Sequence, residues 1–374
     1  MLQGVHLTLL IGPQAPLPAP PLLMEALSGV RVTQGGSEGA FELSFALGKQ
    51  SPILQQLLPA GFFDPIVTRV ILMVTLQGAP QVLIDGVITR HQLQAGEQGL
   101  STLTLTGSDL SVLMDVVEVR RVFQSTPHIA QAAQILANYA AFGIVPLLIP
   151  PLLDQPLSPS QGREIQYGTD LDWLRSLARR HAYVFYLEPG PLPGSSRAYF
   201  GPPLQDPSPQ PALSVNMDAH SNVESLSASY DGLSKKILVF GVLDPATGTI
   251  PLPLPLPNLN IYRPPLGACL TPPAKVEFSP SYNRSRQIPN LLDHILGTLA
   301  QSSQALRLSG SLHVSRYGGL LRARRLVGVR GLGLAHDGLY YVDSVTHDIK
   351  PGEYKQSFEL SRDGLISLTP TVPI

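Results

Sequence analysis

The sequence predicts a mainly β protein with a small α/β insert. Two β-rich blocks, residues 28–115 and 198–365, flank a helical and then mixed segment at 116–197, and each block has enough alternating strand to close a barrel. Three observations carry this. Short runs of alternating apolar residues recur in both outer blocks, as in "AFELSFALG", where Phe41, Leu43, Phe45 and Leu47 share one face. Gly and Pro separate those runs at sandwich or barrel spacing. Between the blocks the period turns helical: in "DLDWLRSLARRHAYVFYL", residues 170–187, Leu171, Leu174, Leu177 and Ala178 recur at helical spacing before Tyr183 to Leu187 switch to strand formers.

The elements follow in order. Residues 1–27 read as an N-terminal arm. In the first block "AFELSFALG", "RVILMVTLQ", "PQVLIDGVITRHQLQ" and "STLTLTG" are strands, and "SPILQQLL" is the one helical candidate. In the insert "STPHIAQAAQILANYAAFG" predicts a helix with Ser125 or Thr126 as cap, Pro127 in the first turn and an end near Gly143. Its stripe is Ile129, Ala132, Ala133, Leu136 and Ala140. The second helix has Thr169 as N-cap, with Asp170 and Asp172 at its positive end and Arg175, Arg179 and Arg180 toward its negative end. Trp173, Tyr183 and Tyr186 read as core.

The last block returns to strands: "ALSVNMD", "SKKILVFGV", "LRLSGSLHVS", "RARRLVGVRG", "GLYYVDSVTHDI" and "YKQSFELSR". One predicted helix interrupts them, "IPNLLDHILGTLAQ", capped by Asn290 and striped by Leu292, Ile295, Leu296 and Leu299. Residues 366–374 read as a tail.

Composition bounds the function. At 374 residues the chain is too long for one ordinary core. Charged residues make up 14%, against about 25% in typical soluble domains. That fits a surface covered by partners and, equally, a chain rich in small polar residues and prolines. A net charge of −1 gives no electrostatic case for nucleic-acid binding. Cys269 is the single cysteine, which excludes an internal disulfide and a thiolate cluster. "MLQGVHLTLLIGPQAPLPAPPLL" lacks a basic n-region and is a poor signal peptide. "FGIVPLLIPPLLDQPL" is cut by Pro146, Pro150 and Pro151 and is too short to span a bilayer. The product is expected to be soluble and made in the cytoplasm.

Proline is the anomaly: the 37 prolines are about twice the usual share. They cluster at 13–21, 146–159, 189–211 and 251–273, which marks loops and linkers. "PLPLPLP", 251–257, is expected to be extended polyproline. Without a flanking basic residue it reads as a stiff surface excursion before it reads as a ligand for an aromatic groove.

No residue is nominated as catalytic, cofactor-binding or metal-ligating. The nine histidines are scattered, and the tightest group, His347 and Asp348 with Asp343, offers one imidazole where zinc wants at least three converging ligands. No nucleophile elbow is nominated, because the G-x-S-x-G match at Gly35, Ser37 and Gly39 lies in a turn and opens no helix, and there is no Walker sequence. "GVRGLG", 328–333, sits between strands, and "GGSEG", 35–39, is a turn. Arg316, Arg322, Arg324, Arg325 and Arg330 have no acid between them. They line either a surface that meets polyanions or a solvated face of two strands.

Three stretches resemble bacteriophage late control D proteins, the tail baseplate hub family. "GSDLSVLMDVVEVRRVFQSTPHIAQAAQILANYA", 107–140, carries the family's D-L-S turn at Asp109, Leu110 and Ser111, its R-x-F strand at Arg121 and Phe123, and, one residue shorter than its T-x-x-x-I-A helix start, Thr126 to Ala130. Residues 170–187 are similar to its D-L-x-F-L-x-x-L-A-x-x-x-G-Y segment. Asp170, Leu171, Leu174, Leu177, Ala178 and Tyr183 are in step, with Trp173 in place of the Phe and Ala182 in place of the Gly. "DGLYYVDSVTHDIKPGEYKQSFELSRDG", 337–364, resembles its closing hairpin through Gly338, Tyr340, Val342, Val345, His347, Gly352, Tyr354, Phe358 and Arg362.

The family includes the hub part of type VI secretion spikes and of extracellular contractile injection systems. The resemblance implies two tail-tube-like β-barrel domains flanking a small α/β domain, a homotrimer and no catalytic activity. Three copies would present six barrels to a hexameric inner tube, or to a tube initiator protein, and meet a trimeric spike at the other end. Other baseplate proteins are implied as partners, and nucleic acid only as transiting cargo. Particles of this kind are assembled in the cytoplasm. The five arginines would then lie near the channel or the tube contact. The Pro-rich stretch 244–276 is longer than the family pattern, which suggests a system-specific contact. The chain stops at Ile374 without a spike barrel, needle or lysozyme-like domain, so the spike is expected as a separate polypeptide.

Two other classes stay open. A particle-associated hydrolase would need paired carboxylates or an activated nucleophile, and spacing nominates none. A secreted β-rich adhesin would need an export signal.

Overall fold

Alternation is expressed at once in the N-terminal half. Its elements are β1 (Val5–Pro13), β2 (Leu17–Pro18), α1 (Pro21–Ala26), β3 (Leu27–Gly35), β4 (Ala40–Gly48), β5 (Thr68–Leu76), β6 (Ala79–Ala95) and β7 (Leu100–Asp109). The computed structural model describes residues 4–13, 16–96, 99–152, 154, 156, 163–241, 253–257, 262–278 and 304–369. In β4, Phe41, Leu43, Phe45 and Leu47 are buried while their neighbours face outward. The antiparallel order is β3-β4-β7-β6-β5-β1-β2.

Two expectations change in this half. Residues 1–27 are not a free arm: β1 pairs with β5 along its whole length, from Val5 opposite Leu76 to Pro13 opposite Thr68. Leu9 and Ile11 bury the inner face of that strand, and the proline cluster that follows had disguised it. "SPILQQLL" forms only a five-residue π-helical turn, Ile53–Leu57.

The insert comprises β8 (Arg121–Phe123), α2 (His128–Ala137), β9 (Ile144–Leu148), β10 (Glu164–Gln166), α3 (Asp170–Arg180), β11 (Val184–Pro189) and β12 (Ser196–Gly201). Its strands make two small sheets, β8 with β10 and β11-β12-β9, the last pair parallel. It has its own apolar cluster, in which Phe123, Ile135, Leu136, Leu171, Leu174 and Leu177 meet. The α3 cap is as predicted, with Thr169 Oγ1 accepting the Asp172 N–H at 3.2 Å.

The α2 cap differs. Neither Ser125 nor Thr126 closes the helix; Pro127 is the N-cap residue and no side chain at that position bonds the helix. Instead the carboxylate of Asp154, 26 residues on, accepts the His128 N–H at 2.7 Å and the Ile129 N–H at 3.0 Å. After Ala137 the chain passes through a 3-10 turn to Gly143, whose φ of +78° and contact with the Gly194 carbonyl leave no room for a side chain.

The C-terminal half supplies β13 (Asp206–Ser214), β14 (Ser225–Tyr230), β15 (Lys236–Gly241), β16 (Pro253–Pro257), β17 (Gly267–Leu270), β18 (Lys275–Phe278), β19 (Leu306–His313), β20 (Arg325–Arg330), β21 (Gly338–Lys350), β22 (Glu353–Arg362) and β23 (Gly364–Ser367). Six of them run in the order β14-β19-β22-β21-β20-β13. "PLPLPLP" is not free polyproline: 253–257 pairs antiparallel with β15. It is the outer strand of the small sheet β16-β15-β18, an edge place that residues without an N–H can occupy. The helix predicted at 288–301 lies outside the described residues.

The two halves are joined by strand pairing. β21 pairs β20 with its first residues and then, past a register shift between Val342 and Ser344, pairs β3 from Ser344 opposite Gly35 to Ile349 opposite Val30. Gly35, at φ +109°, lies where a Cβ would collide with the Asp343 carbonyl oxygen. The result is one 13-stranded sheet, whose buried apolar face draws on both halves, from Leu9 to Leu360. The fold class is mainly β with an α/β insert.

Candidate interaction surfaces

The residues that carry the resemblance build the interior. In the insert, Arg121 lies 3.4 Å from the Asp170 carboxylate, which also accepts from Gln166 at 2.6 Å and from the Tyr139 hydroxyl at 3.1 Å. Burial, and then the Asp170 charge, push Tyr139 up to about 12. Phe123 stacks on Trp173 with ring centroids 6.1 Å apart. The Trp173 indole N–H donates to Gln131, and Arg180 lies over its ring. Leu174 and Leu177 are fully buried. Tyr183 is buried and its hydroxyl donates to the Pro150 carbonyl.

Asp109 caps the turn that begins at Leu110, accepting the Ser111 N–H at 2.9 Å, and also accepts the Gly39 N–H. Burial raises its carboxyl above the usual range. At the closing hairpin Gly338, Tyr340, Val342, Phe358 and Tyr354 are buried, and Tyr354 sits 2.8 Å from His347. Tyr340 donates to the His336 carbonyl and carries Arg362 over its ring. Arg362 in turn donates to the carbonyls of Ala335, Asp337 and Gly364. These contacts are internal.

The five arginines have different surroundings. Arg316 is exposed on the short helix Val314–Tyr317. Arg322 is exposed but donates to Gln81 of β6 at 2.9 Å. Arg324 has φ +63°, stacks 3.7 Å over Tyr186 of the insert and donates to the Gly36 carbonyl. Arg325 lies 3.7 Å from Asp206, and Arg330 ends β20. Arg322 and Arg324 thus reach from the C-terminal half to the other two parts of the chain. A cavity of about 370 Å³ lies at this junction, lined by Gln81, Glu188, Arg197, Arg322 and His347 among others.

Among the described residues the longest path through the sheet ends in an open strand edge on each side, and its side branch ends at β13. β14 ends one side, and Ser225, Ser227, Ala228, Ser229 and Tyr230 along it are exposed. At the other side β2 covers β1 only at Leu10 and Ile11, so the run from Val5 to Thr8 has no strand neighbour beyond β5 among the described residues. Neither run contains a proline, lysine or acid, the usual means of blunting an edge.

A group that spacing did not reveal lies between the insert helices. His128, the first residue of α2, and His181, the residue after α3, meet Nδ1 to Nε2 at 2.7 Å across 53 residues of sequence. Asp154 Oδ1 is 3.7 Å from that Nδ1 and 4.0 Å from that Nε2. Glu164 is 3.1 Å from His128 Nε2 and bonds Arg180 and Gln131, each at 2.6 Å. Burial opposes the charge of Glu164, but those partners prevail and lower it to about 2. Burial, then His128, lower His181 to about 4. The placement of one histidine at each helix end was the only hint in the sequence.

This sheet and insert make a fold that the chain shares with solved phage tail proteins and with a chain of a PdpA–VgrG complex. The crystal structure of a Neisseria meningitidis MC58 tail protein is similar to this chain at 14% identity and TM-score 0.62, covering 96% of this chain and 98% of that one. The 43 kDa tail protein of prophage MuSo2 from Shewanella oneidensis is similar at 13% identity and TM-score 0.63, over 96% and 99%. A chain of the Francisella PdpA–VgrG complex is similar at 10% identity and TM-score 0.57, over 100% of this chain and 55% of that one. No protein-family model and no curated protein matches the sequence.

Proposed function

We propose that the chain is the baseplate hub of a phage tail-like contractile particle. In this reading it is a homotrimer that adapts a hexameric inner tube to a separate trimeric spike, and it makes or breaks no bond. The observation that carries it is the pair of open edges at opposite ends of the sheet. Each half offers six strands in sequence, β3-β4-β7-β6-β5-β1 and β13-β20-β21-β22-β19-β14, and the halves already join where β3 pairs with the part of β21 that runs past β20. Repeating that junction head to tail between copies gives a ring, which closes when the rotation per copy divides a full turn. Two tube-like barrels per chain, 28–115 extended by β1 and 198–365, and three chains match a six-fold tube.

The insert, 116–197, then stands outside the ring wall, and the 244–276 stretch serves a contact particular to the system. Arg316 and Arg322, the exposed members of the arginine group, are assigned to the channel or tube contact. Assembly takes place in the cytoplasm, and the product is part of the particle. The fold shared with tail proteins, and with a chain of the PdpA–VgrG complex, supports the reading.

The test is the mass of the purified chain, alone and mixed with its cognate spike, by light scattering and negative-stain microscopy. A trimeric ring with six lobes is expected. The double variant Ser227→Lys, Ser229→Lys should stay folded but fail to trimerise. A stable monomer or a closed hexamer under both conditions would overturn the proposal.

A further inference from the structure

We propose that the insert binds one divalent first-row metal ion, zinc foremost, through His128 Nδ1, His181 Nε2 and Asp154 Oδ1. The three atoms form a triangle with sides of 2.7, 3.7 and 4.0 Å. The point equidistant from its corners lies about 2.1 Å from each, within the usual zinc–nitrogen and zinc–oxygen range of roughly 2.0–2.2 Å. Opening the two imidazoles by about 0.6 Å and drawing in the carboxylate turns this plane into three legs of a tetrahedron, with the fourth position open to water. The side chains are 11%, 2% and 11% exposed for His128, His181 and Asp154, so an ion here would be largely shielded.

The surroundings are those of a ligand set. Glu164 accepts from the far ring nitrogen of His128 at 3.1 Å. That fixes the Nε2–H tautomer and points the Nδ1 lone pair into the triangle, as an outer carboxylate does for a metal-bound imidazole. Glu164 is itself fixed by Arg180 and Gln131.

Without an ion, one proton must sit between two nitrogens 2.7 Å apart. His128 Nδ1 is the acceptor, so His181 Nε2–H is the donor. On binding, His181 gives up the Nε2 proton and takes one at Nδ1, so both imidazoles stay neutral and no proton is released overall. Asp154 keeps its bond to the Ile129 N–H through its other oxygen. The Asp154 and Glu164 carboxylates exceed the Arg180 charge by one, a balance that favours a cation. Two imidazoles and one carboxylate suit zinc and its first-row neighbours and do not suit magnesium or calcium, which prefer oxygen. The ion would tie the start of α2, the end of α3 and the Asp154 segment together, a structural role inside the insert that is independent of how the chain assembles.

The experiment uses the untagged full chain. Purified protein should carry about one zinc per chain by elemental analysis. After chelation it should take up one equivalent of Co²⁺ with tetrahedral visible bands, displaced by Zn²⁺ and accompanied by a rise in melting temperature. His181→Ala should abolish the bands. Glu164→Gln should weaken binding about 10–100-fold. His6→Ala, remote from the cluster, should change nothing. If His181→Ala does not fold, the cobalt titration of the chelated wild type decides alone: one tetrahedral equivalent supports the site, and no saturable uptake overturns it. Undiminished binding by a folded His181→Ala protein overturns it equally.

Discussion

The sheet and the insert are stabilised by different chemistry. Along the sheet the buried positions are mostly apolar, from Leu9 through Phe45 and Leu105 to Leu360, with His347, Gln356 and Arg362 as a polar group at the closing hairpin. Its buried ion pair, Arg69 with Asp85, sits where it meets the insert: Arg69 also donates to the Gly194 carbonyl, and Ser196 donates to Asp85. The insert is smaller and is crossed by polar groups. Gln131, Gln166, Asp170, His128 and His181 are all buried, and two networks, one round Asp170 and one round Glu164, run beside its apolar cluster. Apolar packing tolerates many sequences, whereas a buried polar group must find its partner. The insert is therefore the more exacting part of the chain.

That contrast decides what could be read from the sequence. Alternation in β4 or β21 is local, because each residue reports its own face. The α3 cap was legible because Thr169 and Asp172 are three residues apart. The α2 cap was not, because Asp154 closes it from a different loop. The His128–His181 contact and the Arg121–Asp170 pair join residues far apart, and no periodicity encodes such closures. β1 was hidden for another reason: the prolines at 13–21 made the whole N-terminus look like linker, although Val5 to Gly12 alternate well enough to pair with β5. The open edges of β1 and β14 could not be foreseen either, since an edge is defined by what fails to pair with it.

The largest effect should come from the sheet. Phe45 is fully buried in β4, and Phe45→Ala should cost about 3–5 kcal/mol. Trp173, the single tryptophan, lies in the insert, so its fluorescence reports that region while circular dichroism reports mainly strands. In denaturant the dichroism midpoint of Phe45→Ala should fall further than the fluorescence midpoint. Equal shifts would show that sheet and insert unfold as one unit and would break the comparison.

Leu177→Ala sharpens it from the other side. Leu177 is fully buried in the insert cluster, and its truncation should cost about 2–5 kcal/mol, read first in Trp173 fluorescence. A loss below about 0.5 kcal/mol would mean that the α3 stripe is not packed as described.

Acid should reveal the one imidazole buried in the sheet among the described residues. His347 is wholly buried beside Tyr354 and Gln356, and burial lowers it from 6.5 to about 3. Between those values the unfolded chain binds a proton that the folded chain refuses. Its contribution is fully present above pH 6.5 and is lost as pH falls toward 3, at up to about 1.4 kcal/mol per pH unit for one proton. His347→Gln should flatten the dependence of stability on pH below 6.5 relative to wild type, whatever its cost at neutral pH. An unchanged slope would assign the acid sensitivity to groups other than His347.

The smallest effect is expected at the seam between the two halves. Arg31 of β3 and Asp348 of β21 stand opposite each other in the register, 3.4 Å apart, with side chains 53% and 31% exposed. Exposed pairs of this kind contribute about 0–1 kcal/mol, because water screens them and two long side chains must be held in place. The backbone ladder from Ser344 to Ile349, with Val30, Val32 and Val345 buried beneath it, should hold the seam without their help. Asp348→Asn should therefore lower stability by less than about 1 kcal/mol, with the remaining difference from wild type vanishing in high salt. If the loss were larger and persisted in salt, the junction between halves would depend on charge as the insert does. The same edge-to-edge junction could not then be repeated between copies by the uncharged edges of β1 and β14.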